Sequence, residues 1–69
     1  MAVEVYPGIT VDPAVVHGRP VVAGTRVPVE VVVGALAGGS TPEEVAEDYH
    51  LTSDQIRRAL GYARHIMRS

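Results

Sequence analysis

Gly39-Ser40-Thr41-Pro42-Glu43-Glu44 and Leu51-Thr52-Ser53-Asp54-Gln55-Ile56 each announce the start of a helix, and together they decide the fold. In both, a Thr hydroxyl can accept the amide proton three residues on, while Glu44 or Gln55 reaches back to the Thr amide, which is the capping-box pattern. Pro42 falls at the first helical position, where its missing N–H costs nothing. A helix of about two turns, a tight turn and a longer helix predict helix-turn-helix geometry over residues 41–68. The first helix carries Glu43, Glu44, Glu47 and Asp48. The second carries Arg57, Arg58, Arg64 and Arg68 against Asp54.

Composition bounds what surrounds this segment. Sixty-nine residues make one domain, and a chain this short buries only about 60% of the surface its unfolded form exposes. With no cysteine there is no disulfide or thiolate metal site to staple it. Val is abundant and Phe and Trp are absent, so the core is built from small side chains. Oligomerisation is the common remedy for so small a core, and a homodimer or higher homo-oligomer is expected. The net charge of −2 argues against strong nucleic-acid binding through bulk charge alone, although the distribution of charge matters more than its sum. All six cations are Arg, which keeps its charge in any setting and offers a planar fork to carboxylate or phosphate. No run has the length and flanks of a signal peptide or membrane span, so a cytoplasmic protein without a membrane partner is expected.

Before Gly38-Gly39-Ser40, short β-prone runs alternate with turn residues: Val3-Glu4-Val5-Tyr6, Pro7-Gly8, Ile9-Thr10-Val11 and Asp12-Pro13, continuing through Val15-Val16, Pro20-Val21-Val22 and Thr25-Arg26-Val27. Residues 1–27 therefore read as a β-element that needs helices or a second subunit to cover it, and its exposed edge suits pairing with another chain. Val27–Ala37 is β-branched, yet Val29, Val32, Val33 and Leu36 fall at helical spacing. Pro28 and Gly38 punctuate it as a helix. The helix after Thr41 is expected to bury Val45, Ala46 and Tyr49. The last helix is expected to bury Ile56, Leu60, Ala63 and Met67, which lie within about 60° of one another on the helical wheel. Arg57, Arg64 and Arg68 form a second stripe about 90° away. The chain is thus read as a single domain, residues 1–69, with a dimerising β-element over 1–27 and a three-helix bundle over 28–69.

The basic helix is the candidate site. Thr52, Ser53 and Gln55 stand at its start, where N-terminal residues of a recognition helix enter the major groove and free amides hold a phosphate. Arg57, Arg58 and Arg64 can reach a phosphate or base edge, an Arg–guanine pair being worth about 1–3 kcal/mol. Against this stand plain roles. Arg64 and Arg68 suit the negative end of a helix dipole, and Arg57 can pair with acids of the preceding helix at roughly 0–1 kcal/mol. Gly24-Thr25-Arg26 lacks the spacing of a nucleotide loop. It reads as a turn in which Gly24 takes an unusual φ, Thr25 caps, and Arg26 pairs with Asp12 or Glu30. Asp12-Pro13 reads as an Asx-type turn. His17, His50 and His65 have no metal-ligand spacing, so neither metal nor cofactor is expected. No catalytic constellation is visible, and an enzyme is not expected. Tyr49 and Tyr62 read as core or interface residues.

Val11-Asp12-Pro13, His17-Gly18-Arg19-Pro20-Val21-Val22 and Gly24-Thr25-Arg26-Val27-Pro28-Val29 have a further meaning as a unit, followed as they are by the two helix starts. In this order and spacing they resemble a widespread prokaryotic family catalogued as domain of unknown function 433, over about Ile9 to Ala63. Asp12, Gly18, Pro20, Gly24, Thr25 and Arg26 are the positions that match its structural motif. The resemblance implies a mainly α fold, a short N-terminal β-hairpin followed by a trihelical, homeodomain-like helix-turn-helix bundle. It further implies a VapB-type antitoxin that binds a PIN-like ribonuclease toxin and represses its own operon by binding operator DNA. Many antitoxins block the toxin with a long flexible C-terminal tail. Here the sequence stops directly after the last helix, so a blocking surface is expected in the folded part or the N-terminal half. The alternative expectation is a protein-interaction module that does not bind DNA, docking a partner through its apolar N-terminal half.

Overall fold

Pro7-Gly8 reverses the chain between two strands, with Gly8 at a φ of +85° that a residue with a side chain takes reluctantly. The computed structural model, which describes residues 1–68, places strand β1 at Val3–Tyr6 and β2 at Ile9–Val11, antiparallel, with Val3 opposite Val11 and Glu4 opposite Thr10. An irregularity between Glu4 and Tyr6 shifts the register. A 3₁₀ turn at Val16–Gly18 then leads into β3, Val21–Val22, which pairs antiparallel with β2. The sheet order is β1-β2-β3. Three helices follow: α1 at Val29–Ala37, α2 at Pro42–Tyr49 and α3 at Ser53–Met67.

The punctuation of the helices follows from the sequence. Pro28 is the N-cap of α1 and Gly38 its C-cap. Both capping boxes are formed. Glu44 N–H donates to Thr41 Oγ1 at 3.1 Å while Thr41 N–H donates to Glu44 Oε1 at 2.8 Å. Thr52 and Gln55 repeat this at the start of α3, with the same two distances. His50 ends α2 in the left-handed region, at φ 56°.

The architecture corrects the expected fold class. The domain is a mixed α/β unit of three helices and a three-stranded antiparallel sheet, in place of a mainly α trihelical, homeodomain-like helix-turn-helix bundle with an appended hairpin. The reason lies in the core. Ile9, Val21 and Val22 are as deeply buried as Val29, Val32, Val45, Leu51, Ile56 and Ala59. With no Phe or Trp to fill an all-helical interior, the sheet's Ile and Val complete one shared core, and α3 packs against β2 and β3 as well as α1 and α2. Val21-Val22, in sequence one more turn-bounded fragment, becomes the third strand because both faces are covered.

The buried stripe of α3 is also rotated from its expected position. Ile56 and Ala59 are buried, but Leu60 is 41% exposed and Met67 83% exposed. Ala63 is half-buried against the core. In α2, Val45 is buried and Ala46 packs beside it, while Tyr49 is 37% exposed and stands outside the core cluster. The sheet order leaves β1 and β3 as its outer strands, and β1 carries the register irregularity between Glu4 and Tyr6. No helix among the described residues is long and apolar enough to cross a membrane.

Candidate nucleic-acid interface

Helix α3 is fixed at both ends of its first turns. Its capping box consumes the side chains of Thr52 and Gln55, and Leu51 just before it and Ile56 just after it are buried. Asp54 lies in the first turn, where a negative charge complements the helix dipole. It also gathers two of the arginines: Arg57 Nη1 lies 3.6 Å from Asp54 Oδ1, and Arg58 Nε 3.5 Å from Asp54 Oδ2. Arg57 therefore pairs within its own helix, and among the described residues no ion pair joins an α2 acid to an α3 arginine. Both contacts are exposed and worth roughly 0–1 kcal/mol, so water or a phosphate can replace the carboxylate cheaply.

The arginines are not equivalent. The aliphatic stem of Arg58 packs over the β1–β2 turn, so closely that a Cβ on Gly8 would meet its Cγ at 3.1 Å. Arg57 and Arg64 are fully on the outer surface. On the helical wheel they lie about 80–100° from Ile56 and about 140–160° from Ala59, so an exposed flank of α3 turned from the core carries these two cations. Ser53 is exposed beside them. Further along, Arg64 and Arg68 line a shallow depression of about 410 Å³ with Tyr6, Gly61 and His65. The Tyr6 ring meets Tyr62 edge-on at 5.8 Å and lies 5.5 Å from His65. Tyr6 does not stand out in the sequence. The helix-breaking Gly61 inside α3 is the signal that points to it, since it marks a close neighbour.

The motif residues of the N-terminal half are structural in their contacts. Asp12 Oδ1 accepts the Ala14 amide at 2.9 Å, closing the Asx turn, and lies 3.3 Å from the N-terminal ammonium. These two donors hold the Asp12 carboxyl below the ordinary aspartate range, the Ala14 amide first, outweighing desolvation. Thr25 Oγ1 donates to the Val22 carbonyl at 2.7 Å and accepts the Val27 amide at 3.0 Å. Gly18 and Gly24 both adopt positive φ. The Pro20 carbonyl accepts the Val29 amide at 3.0 Å, tying the loop to the start of α1. Arg26 forms no ion pair among the described residues. Glu30, one of its expected partners, is taken by Arg19, and Asp12 by the N-terminus. The three histidines lie apart in the fold: His17 in the 3₁₀ turn, His50 at the end of α2 and His65 on α3.

The fold and this surface define a small α/β domain with a capped, outward-facing basic helix. Residues 9–63 match the family described as protein of unknown function (DUF433), and the chain belongs to that family, as the motif spacing indicated. It is 44% identical over 52 residues to the Mycobacterium tuberculosis protein named "Putative antitoxin VapB45", covering 75% of this chain and 22% of that protein. It is 31% identical over 61 residues to the uncharacterized protein Rv2308 of the same organism, covering 88% of this chain and 26% of that protein. The crystal structure of Rv2018 from Mycobacterium tuberculosis shares the fold, with a TM-score of 0.69 at 44% identity, covering 75% of this chain and 24% of that one. This chain thus spans about a quarter of the length of the relatives it matches.

Proposed function

We propose that this chain is a non-enzymatic, antitoxin-like domain that contacts operator DNA through α3, acts as a homodimer, and belongs to a pair whose other member is a PIN-like ribonuclease toxin. The observation that carries the DNA part is the outer face of α3, with Arg57 and Arg64 turned from the core and Ser53 exposed in the first turn. The arginine forks meet phosphate oxygens, which set position and supply salt-dependent affinity. The first turn of α3 offers its free amides and the Ser53 hydroxyl to the backbone. In this reading Thr52 and Gln55 contribute by holding that turn open to the phosphate, and Arg58 by its half-exposed guanidinium. The similarity to a protein named as an antitoxin supports the toxin part.

Co-expression with the product of the neighbouring gene, expected to be a PIN-like ribonuclease, tests the toxin part. The reading expects the two to purify together with ribonuclease activity suppressed, and a nuclease that stays active and unbound contradicts it. Retention of the chain's own promoter fragment on a gel tests the DNA part.

A further inference from the structure

Beside the basic face, α1 and the second half of α3 enclose an apolar groove of about 360 Å³. Val29 and Val33 form one wall, Tyr62 and Ala63 the other, and Ile66 and Met67 stand at its side. Ile66 is 51% exposed and Met67 83% exposed. The apolar spacing of α3 predicts burial at Ala63 and Met67, yet Met67 stands exposed at the side of the groove. An apolar groove with apolar side chains exposed beside it is the kind of surface that takes a partner.

The groove also carries its own complement. One wall of the groove, Tyr62 and Ala63, lies on the same helix as the protruding Ile66 and Met67, so one copy can offer Ile66 and Met67 while it receives the partner's. At the rim stand one cation and one anion, Arg19 and Glu30, paired with each other in the single chain. Both are more than half exposed, so the pair can be exchanged without stranding a buried charge. A two-fold axis requires that every contact occur twice with the roles reversed, and a rim holding one charge of each sign meets that condition. A dimer of standard size covers about 800 Å² per subunit, roughly one-sixth of the 4619 Å² that this chain exposes.

We propose that a second copy of this chain docks in the α1–α3 groove, Ile66 and Met67 of each protomer entering the other's groove, with Arg19 facing the partner's Glu30. This rests on the dimeric reading above and gives it a surface. Arg57 and Arg64 do not line the groove.

Sedimentation velocity over a concentration series tests it, on the whole chain, with circular dichroism as the check on folding. Wild type is expected to dimerise. Met67→Glu and Ile66→Glu, both at exposed positions, are expected to raise the dimer dissociation constant at least about tenfold while the helical signal is kept. Arg19→Glu mixed with Glu30→Arg is expected to give a heterodimer more readily than either forms a homodimer, because one carries an acidic rim and the other a basic one. Dimers that persist unweakened in both Glu variants overturn the assignment of this groove while leaving the dimer intact. A wild type that stays monomeric at high micromolar concentration overturns the dimer itself. DNA retention, measured on the same samples, reports separately on the role of α3.

Discussion

The hydroxyl of Tyr6, at the end of β1, occupies the space that a side chain at Gly61 would fill: a Cβ built there would lie 2.8 Å from the hydroxyl oxygen and 3.4 Å from the ring carbon bearing it. Gly inside a helix costs about 1 kcal/mol relative to Ala, so this position gives up helix stability to admit the tyrosine. Gly61→Ala is therefore expected to destabilise the wild type by roughly 1–2 kcal/mol through overpacking. In a Tyr6→Ala background the same change is expected to stabilise by up to about 1 kcal/mol. A double-mutant cycle by chemical denaturation measures the coupling, and equal effects in both backgrounds refute the contact.

Each capping box closes two hydrogen bonds at a helix start. Thr41→Ala and Thr52→Ala are each expected to cost about 1 kcal/mol, lowering Tm by roughly 4–8 °C in a domain of this size. Thr→Ser at either position is expected to be far milder, since the hydroxyl remains. Thermal melts of the four variants check this.

Asp12 gives the fold a dependence on acid. The Ala14 amide and the N-terminal ammonium favour its charged form, so its folded pKa lies below its unfolded one. Its contribution is then fully present above the unfolded pKa and is lost as pH falls through the lowered folded value. Asp12→Asn keeps the turn hydrogen bond and removes only the charge. It is expected to be less stable than wild type at neutral pH, with the gap closing in strong acid. Denaturation curves at the two pH values decide it, and a gap that widens in acid contradicts the assignment.

Ile9 sits at the junction of sheet and helices with no exposed surface. Ile9→Val is expected to cost about 0.5–1.5 kcal/mol and Ile9→Ala about 2–5. If the sheet were an appendage to a helical bundle, both changes would leave α3 untouched. In a shared core, the helical signal and the near-ultraviolet signal of Tyr6 and Tyr62 disappear together.

The parts of the fold written in local chemistry were legible in the sequence. Thr41 and Thr52 with their Glu44 and Gln55 partners, Pro28, Pro42, Gly38 and the Thr25 turn all act within a few residues, and the structure forms each of them. What depends on distant contacts was not. Val21-Val22 is a strand only because Ile9 and Thr10 lie opposite it. The stripe of α3 is rotated toward Ala59 because the helix must face β2 and β3 as well as α1. Arg19, beyond the reach of any spacing rule, takes Glu30 from Arg26. In the candidate site, the basic character of α3 was plain, but the division of labour within it was not. Arg58 lies over Gly8 because the β1–β2 turn approaches that side of the helix, while Arg57 contacts Asp54 within α3.

Contact between the outer face of α3 and DNA is decided by a salt titration of binding to the chain's own promoter. Fluorescence anisotropy of a labelled duplex is compared for wild type, the double variant Arg57→Ala with Arg64→Ala, and Arg26→Ala as a control away from α3. Each arginine withdrawn from a phosphate should flatten the slope of log K against log salt by about 0.9. The double variant is expected to bind much more weakly at low salt, with a slope shallower by about 1.8 per protomer, about 3.6 for a bound dimer, and Arg26→Ala to stay close to wild type. Wild-type affinity and an unchanged slope in the double variant would contradict that contact.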